Sequence, residues 1–199
     1  MKIQIPEYIQ VLIDLLNQNH YNAYVVGGAI RNALLGLPIH DYDLTTDATP
    51  DEMLQVFSSY RLFKTGIQHG TITVLSDGQP VEITTFRSEN TYEDHRHPST
   101  VSFSNNIEED CKRRDFTINA LCYNKSEGLI DFFGGIEDLQ HKIIRCIGNP
   151  HERIDEDALR ILRALRFAGR LSFTIEENTA TAIHKQKDLL HYISEERIH

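Results

Sequence analysis

Beyond Pro6, apolar side chains at Ile9, Leu12, Ile13 and Leu16 recur at intervals of three and four, which predicts an amphipathic helix with one core-facing stripe. The proline falls near its first turn, where a missing N–H donor costs nothing. Tyr24-Val25-Val26 reads as a buried strand running into Gly27-Gly28, and residues 29–35 suit a short helix closed by Gly36. A second strand is expected at Asp41-Tyr42-Asp43-Leu44, after the polar break at Pro38. Thr49-Pro50-Asp51-Glu52 then opens a helix through Phe57, its acids in the first turn where the helix dipole favours them. Residues 71–75 and 81–86, rich in β-branched side chains and joined by Ser76-Asp77-Gly78-Gln79-Pro80, predict a hairpin.

From Arg87 to Asn106 the chain is polar and without period, as expected of a long loop that is either mobile or functional. Residues 114–123 read as helix and residues 143–147 as a short strand; Gly148-Asn149-Pro150 then breaks the chain. Only helices are expected after it, one over roughly residues 152–170 and another over about residues 176–190. Ser194-Glu195-Glu196-Arg197-Ile198-His199 reads as a further helix cut off in its first turn, so the chain is expected to be a piece of a longer protein. The fold class is therefore α/β (α+β): a head with a mixed sheet and helices over residues 1–148, followed by an all-helical neck over residues 149–199.

Composition narrows the possibilities. A chain of 199 residues that is 40% hydrophobic can build a sizeable core, which sets aside disorder. Twenty basic against 29 acidic side chains give a formal charge of −9, which argues against a surface that wraps nucleic acid through nonspecific charge but leaves room for local basic clusters. No run approaches the roughly eighteen apolar residues of a membrane span, and the first residues lack a signal-peptide core; a soluble, cytoplasmic protein with no membrane partner is expected. Cys111, Cys122 and Cys146 contain no CxxC pair, so they read as packed small side chains rather than a disulfide framework or zinc site. His95 and His97 read as part of the polar loop.

Asp41 and Asp43, two apart in a strand-like context, project from one face and can share divalent cations. Alone they would read more simply as a solvated strand end. Gly27-Gly28 and Arg31 alter that balance: the glycines admit a phosphate to the backbone, the helix start offers amide donors, and the arginine adds bidentate charge. Glu82, on the strand face opposite Val81 and Ile83, becomes a third acid if its strand neighbours the Asp41/Asp43 strand. Asp157, Arg160, Arg163 and Arg166 recur every three residues on one helical face. That face is either a solvated ion-pair ladder or a reader of bases. Cytosine and adenine each set an exocyclic amine donor beside a ring-nitrogen acceptor, and a carboxylate beside a guanidinium matches both.

Three segments taken together, Gly27-Gly28-Ala29-Ile30-Arg31 with Asp41-Tyr42-Asp43, then Arg113-Arg114-Asp115-Phe116-Thr117-Ile118-Asn119-Ala120-Leu121, then Glu156-Asp157-Ala158-Leu159-Arg160, resemble the class II tRNA nucleotidyltransferases, the CCA-adding enzymes and their bacterial poly(A) polymerase relatives. Their order and spacing cover nearly the whole chain. The resemblance implies a nucleotidyltransferase (DNA polymerase β-like) head and a helical neck. In it Asp41 and Asp43 would hold two Mg²⁺ ions, with Glu82 as a further catalytic acid. Gly28 and Arg31 would contact nucleotide phosphates. Arg114 would bind the nucleotide or, structurally, cap its neighbouring helix. Asp157 and Arg160 would act as a protein template for CTP and ATP, with Arg163 and Arg166 as further nucleotide contacts and the 3′ end of tRNA as acceptor. Asn32 departs from the aspartate usual in the family. The loop 87–106 matches the region that helps switch the pocket from CTP to ATP, and its full length favours CCA completion over a CC-only relative. An A-adding or poly(A) enzyme using ATP alone shares these motifs. A noncatalytic nucleotide- or RNA-binding module would not need the acid pair. Members of the family carry further helical regions that grip tRNA, and these are expected to lie outside the chain.

Overall fold

The structure, a computed structural model, describes residues 3–89 and 101–193. Helix α1 (Glu7–Gln18) buries Ile9, Leu12, Ile13 and Leu16, the predicted stripe. Strand β1 (Ala23–Val26) is buried throughout and leads through Gly27 into α2 (Gly28–Leu35), which ends at a left-handed Gly36. Strand β2 (Asp43–Thr46) starts two residues later than expected, so Asp41 precedes the strand instead of lying within it. Helix α3 (Pro50–Val56) is capped reciprocally by the side chains of Thr49 and Glu52.

Strands β3 (Arg61–Phe63), β4 (Thr71–Ser76) and β5 (Gln79–Thr85) follow, and the β4–β5 hairpin closes more tightly than its sequence suggested. Asp77 and Gly78 both have positive φ, 48° and 73°, the conformation that matches strand twist in a two-residue turn. The polar stretch is ordered at its root, where β6 (Arg87–Glu89) pairs antiparallel with β7 (Val101–Phe103). His95 and His97, and the centre of the expected switching loop, lie outside the described residues, as does the helix start expected at residues 194–199.

Helix α4 (Ile107–Lys112) leads to a single 3-10 turn at Thr117–Asn119 and strand β8 (Cys122–Asn124). The helix expected over residues 114–123 is thus replaced by a turn and a strand. Residues 115–124 are all buried, and continuous burial erases the period from which helix and strand are told apart. Next come β9 (Gly128–Ile130), α5 (Gly135–His141), β10 (Ile143–Ile144), α6 (Pro150–Glu156) and α7 (Leu159–Leu171). The long helix expected over residues 152–170 is broken at Asp157, whose φ of −146° and ψ of 101° are extended. Strand β11 (Thr174–Ile175), where no strand was expected, pairs parallel with β10, and α8 (Glu177–Gln186) ends the fold with a 3-10 segment at Lys187–Tyr192.

The main sheet has seven strands among the described residues, in the order β3-β4-β5-β2-β1-β8-β9. Every neighbouring pair is antiparallel except β2 and β5. A mixed sheet with helices is the fold expected of the head. The principal core joins α1, β1, α2 and β5 to Ala164 and Phe173, so apolar packing runs from the sheet into the C-terminal helices. All three cysteines are buried and free. No helix among the described residues is long and apolar enough to cross a membrane.

Candidate active site

The turn after β1 needs glycine. Gly27 has φ +69°, and a Cβ there would lie 3.3 Å from Arg114 Nη1. One helical turn later Arg31 is buried at 7% exposure and firmly held. Its Nη1 donates to Asn119 Oδ1 at 2.7 Å, while Nε and Nη2 donate to Asn32 Oδ1 at 3.1 and 2.9 Å. Asn32 in turn donates to the Pro38 carbonyl, so an amide oxygen suffices to orient this arginine. The Arg31 guanidinium stacks over the Phe167 ring at 4.9 Å. Burial, with the charges of Arg170 and Arg163, pushes its pKa down, and Asp115 opposes them.

Sheet register assembles the acids. Antiparallel pairing sets Asp43 opposite Val26 at the mouth of the glycine turn, and parallel pairing sets Glu82 beside Asp43. The condition on which Glu82 joins the aspartates, neighbouring strands, is met. Desolvation, then repulsion from Glu82, raises the Asp43 pKa; Arg114 acts against this and Asp41 adds to it. Such a cluster holds excess negative charge that a cation would relieve. Among the described residues no group of three or more His, Cys, Asp or Glu side chains forms a ready metal cage. An open pair of carboxylates still fits Mg²⁺, which is commonly held by one or two carboxylates together with water and substrate phosphates.

Opposite the acids stands a basic wall. Arg114 pairs with Asp110 at 3.1 Å, and Arg113 with the same carboxylate at 2.9 Å. Burial works against the charge of Arg114, but Asp110 outweighs it and holds the pKa above its ordinary value. Arg163 bonds Asp115 at 2.6 Å and lies 5.4 Å from the centre of the Phe167 ring. Arg160, 5% exposed, donates to the Arg153 carbonyl at 2.5 Å, Glu156 Oε2 at 2.8 Å and the Arg113 carbonyl at 3.2 Å. Asp157 sits in the break between α6 and α7, where its Oδ1 accepts the Leu159 N–H at 3.0 Å.

These groups surround a cavity of about 520 Å³. It brings together Gly28, Arg31, Asp43, Arg114, Asp157, Arg160 and Arg163. Asp41 lines a smaller adjoining cavity of about 190 Å³, which shares Gly28, Arg31 and Asp43 with the first. Glu82 borders neither cavity, and Arg166 is exposed and lines neither. Sequence reasoning missed Asp115, Asn119 and Phe167 as cavity walls and Asp110 as the support of Arg114. The first two lie inside the quoted 113–121 segment, so that motif was the available signal.

A glycine turn into a helix, two acids at the entry to the adjacent strand and a basic wall, on a mixed sheet of this order, define a nucleotidyltransferase head. Residues 23–145 match the family model described as "Poly A polymerase head domain", and residues 172–199 match "Probable RNA and SrmB- binding site of polymerase A". The chain belongs to this family of tRNA nucleotidyltransferases and poly(A) polymerases, of which it covers the head and neck portion. It is 52% identical over 187 residues to the CCA-adding enzyme of Enterococcus faecalis, covering 94% of this chain and 46% of that protein. The structure of the Bacillus stearothermophilus CCA-adding enzyme in complex with CTP superimposes with TM-score 0.88 at 40% identity, covering 98% of this chain and 47% of that one. The Thermotoga maritima CCA-adding enzyme complexed with tRNA gives TM-score 0.79 at 28% identity, over 98% of this chain and 46% of that one. The chain thus spans about half the length of the relatives it matches.

Proposed function

We propose that residues 1–148 and 149–199 are the catalytic head and base-reading neck of an enzyme that adds C, C and A to the 3′ end of tRNA from CTP and ATP. One observation supports this most: Asp43 and the Asp157/Arg160 pair line a single cavity together with Gly28, Arg31 and Arg114. A nucleotide bound there would set its base against Asp157 and Arg160 and run its phosphates towards Gly28, Arg31 and Asp43. The relatives named CCA-adding enzymes, one bound to CTP and one to tRNA, support the same reading.

In the reaction the RNA 3′ oxygen attacks the α-phosphorus, the bond from that phosphorus to the bridging oxygen breaks, and pyrophosphate leaves. Two Mg²⁺ ions held by Asp41 and Asp43, with Glu82 alongside, would supply a lowered pKa at the 3′ hydroxyl and neutralise phosphate charge. Gly28 and Arg31 hold the phosphates, and Arg114 and Arg163 add positive charge along the nucleotide. Arg166 is reached only by a nucleotide or RNA group outside the cavity.

Asp157 accepts from the exocyclic amine of cytosine or adenine, and Arg160 donates to the ring nitrogen beside it. Anchoring of Arg160 by Glu156 and two backbone carbonyls fixes the guanidinium plane, so the arginine cannot turn to suit another base. Uracil and guanine present a carbonyl and an N–H in the reverse order. Each mismatched buried group costs about 1–3 kcal/mol, enough for substantial rejection of UTP and GTP.

Calorimetric titration with CTP, ATP, UTP and GTP in Mg²⁺ tests the reading without RNA. CTP and ATP are expected to bind, UTP and GTP not, and Arg160→Ala to lose the discrimination. Binding of ATP alone would instead indicate an A-adding or poly(A) enzyme. Binding of no nucleotide would remove the catalytic reading altogether.

A further inference from the structure

The smaller cavity raises a question that the nucleotide reading leaves open. It is bounded by the start of α2, by Asp41 and Asp43, and by Arg170 from the last turn of α7. Arg163, Phe167 and Arg170 are spaced by four and three residues, so they share one face of α7. The first two line the main cavity, and the third continues the same face into the smaller one. Arg31 lines both cavities, with its guanidinium over Phe167, so two arginines border one small space.

The charge of Arg170 reaches Arg31: after burial it is the largest influence lowering the Arg31 pKa. Among the described residues no carboxylate forms an ion pair with Arg170, although Asp41 and Asp43 line the same cavity. Two cations that repel each other across a cavity, beside two carboxylates suited to a divalent ion, match one ligand chemistry. A magnesium-bound polyphosphate would satisfy both, since Asp41 and Asp43 would hold the metal and the two guanidiniums would take phosphate oxygens. The carboxylates alone would attract an ordinary cation, and the arginines alone an ordinary anion.

We infer that Arg170 is a phosphate-binding residue that, opposite Arg31, grips the β- and γ-phosphates of the incoming nucleotide and then the pyrophosphate that leaves. This rests on the proposed nucleotidyl transfer, and it assigns the two cavities different parts: the larger receives nucleoside and α-phosphate, the smaller the leaving group. The division follows from the shared lining: Gly28, Arg31 and Asp43 border both cavities, so a nucleotide that spans the two passes these residues. An arginine near a helix C-terminus also interacts favourably with the helix dipole, and that role would leave nucleotide binding untouched.

The test is titration of the chain in Mg²⁺ with CTP, CMP and inorganic pyrophosphate, on the wild type, Arg170→Ala and Arg170→Lys. Arg170→Ala should weaken CTP and pyrophosphate about tenfold, the loss of one charge-assisted contact, and leave CMP unchanged. Arg170→Lys should restore part of the loss, since it keeps the charge without the bidentate fork. Equal weakening of CTP and CMP, or unchanged CTP and pyrophosphate affinity in Arg170→Ala, would overturn the inference, as would a wild type that does not bind pyrophosphate. A wild type that binds pyrophosphate through Arg170 but not CTP would leave the anion site standing and remove the nucleotide reading instead.

Discussion

Asp110 has no solvent exposure, and its carboxylate accepts from groups on three other parts of the chain. The Thr45 hydroxyl donates to it at 3.2 Å from β2, the Arg87 backbone N–H at 3.4 Å from the root of the polar stretch, and Arg113 Nε and Arg114 Nη2 at 2.9 and 3.1 Å. Burial pushes its pKa up, but the two guanidiniums and their hydrogen bonds outweigh that, so it lies below the ordinary carboxylate value. A depressed folded-state pKa contributes stability above the unfolded value that is lost as pH falls through the folded one. Asp110→Asn should therefore destabilise the chain by about 3 kcal/mol at pH 7, since it takes the buried Asp110 counter-charge from two half-buried guanidiniums. The gap should begin to narrow as pH drops below about 4, where the carboxylate of the unfolded chain takes up a proton, and close only as pH falls through the lower folded-state value. Denaturant unfolding at both pH values checks this, and a gap that is constant with pH would refute the assigned charge role. Nothing in the sequence flagged this residue. It follows Glu108 and Glu109 at the start of a helix, where acids are favoured in any case; only the fold brings Thr45 and Arg87 to it.

Under the proposed reading, the break between α6 and α7 leaves Asp157 with two tasks, one for the helix and one for the base. One oxygen accepts the Leu159 N–H at the start of α7, and the same side chain lines the cavity in which the proposed base would lie. Asp157→Ala removes both, and should cost about 1 kcal/mol of stability from the lost cap besides the loss of base selection. Asp157→Asn keeps an acceptor for the helix but turns an amide towards the cavity. It should unfold within about 0.5 kcal/mol of the wild type, the range of a change that spares the cap, while losing preference for CTP and ATP over UTP and GTP. Thermal unfolding and nucleotide titration on the same samples separate the two tasks; a variant that lost stability and selectivity together would show that they are one. Periodicity overlooked this break because the arginine spacing runs straight through it. Elements with local punctuation were legible: the α1 stripe, the glycine turn of β1 and α2, the Thr49/Glu52 cap and the Asp77-Gly78 hairpin. The unrecognised strands β8 and β11 owe their form to partners distant in sequence, β1 and β10. The acids and arginines of the site were legible as motifs, whereas their supports, Asn119 under Arg31 and Glu156 under Arg160, emerged only from packing.

The proposed head and neck do not pack as separate bodies. Strand β10 precedes the break at residue 148 and β11 follows it, yet they form one parallel pair. Arg145 bonds Asp138 of α5 and reaches Glu176, at the start of α8, at 3.7 Å. Helix α5 sits so close to the turn carrying Asn119 that a Cβ on Gly135 would fall 2.3 Å from the Thr117 carbonyl. Asn119 orients Arg31, Arg31 stacks on Phe167, and Phe167 packs edge-on against Phe116, 5.9 Å between ring centres. The cavity walls therefore come from both sides of the break and share one apolar core. Division of labour between catalysis and base reading need not be a division of folding. Calorimetric unfolding is expected to show one transition, with calorimetric and van't Hoff enthalpies equal. Saturating CTP with Mg²⁺ should raise that transition as a unit, by about 2.7 kcal/mol at a ligand concentration one hundred times the dissociation constant, because a ligand bound only to the native state stabilises everything that unfolds with its site. Two transitions, with CTP moving only the one that contains the glycine turn, would instead show that the neck melts independently and that the proposed base-reading pair, Asp157 and Arg160, sits on a body the head does not hold in place.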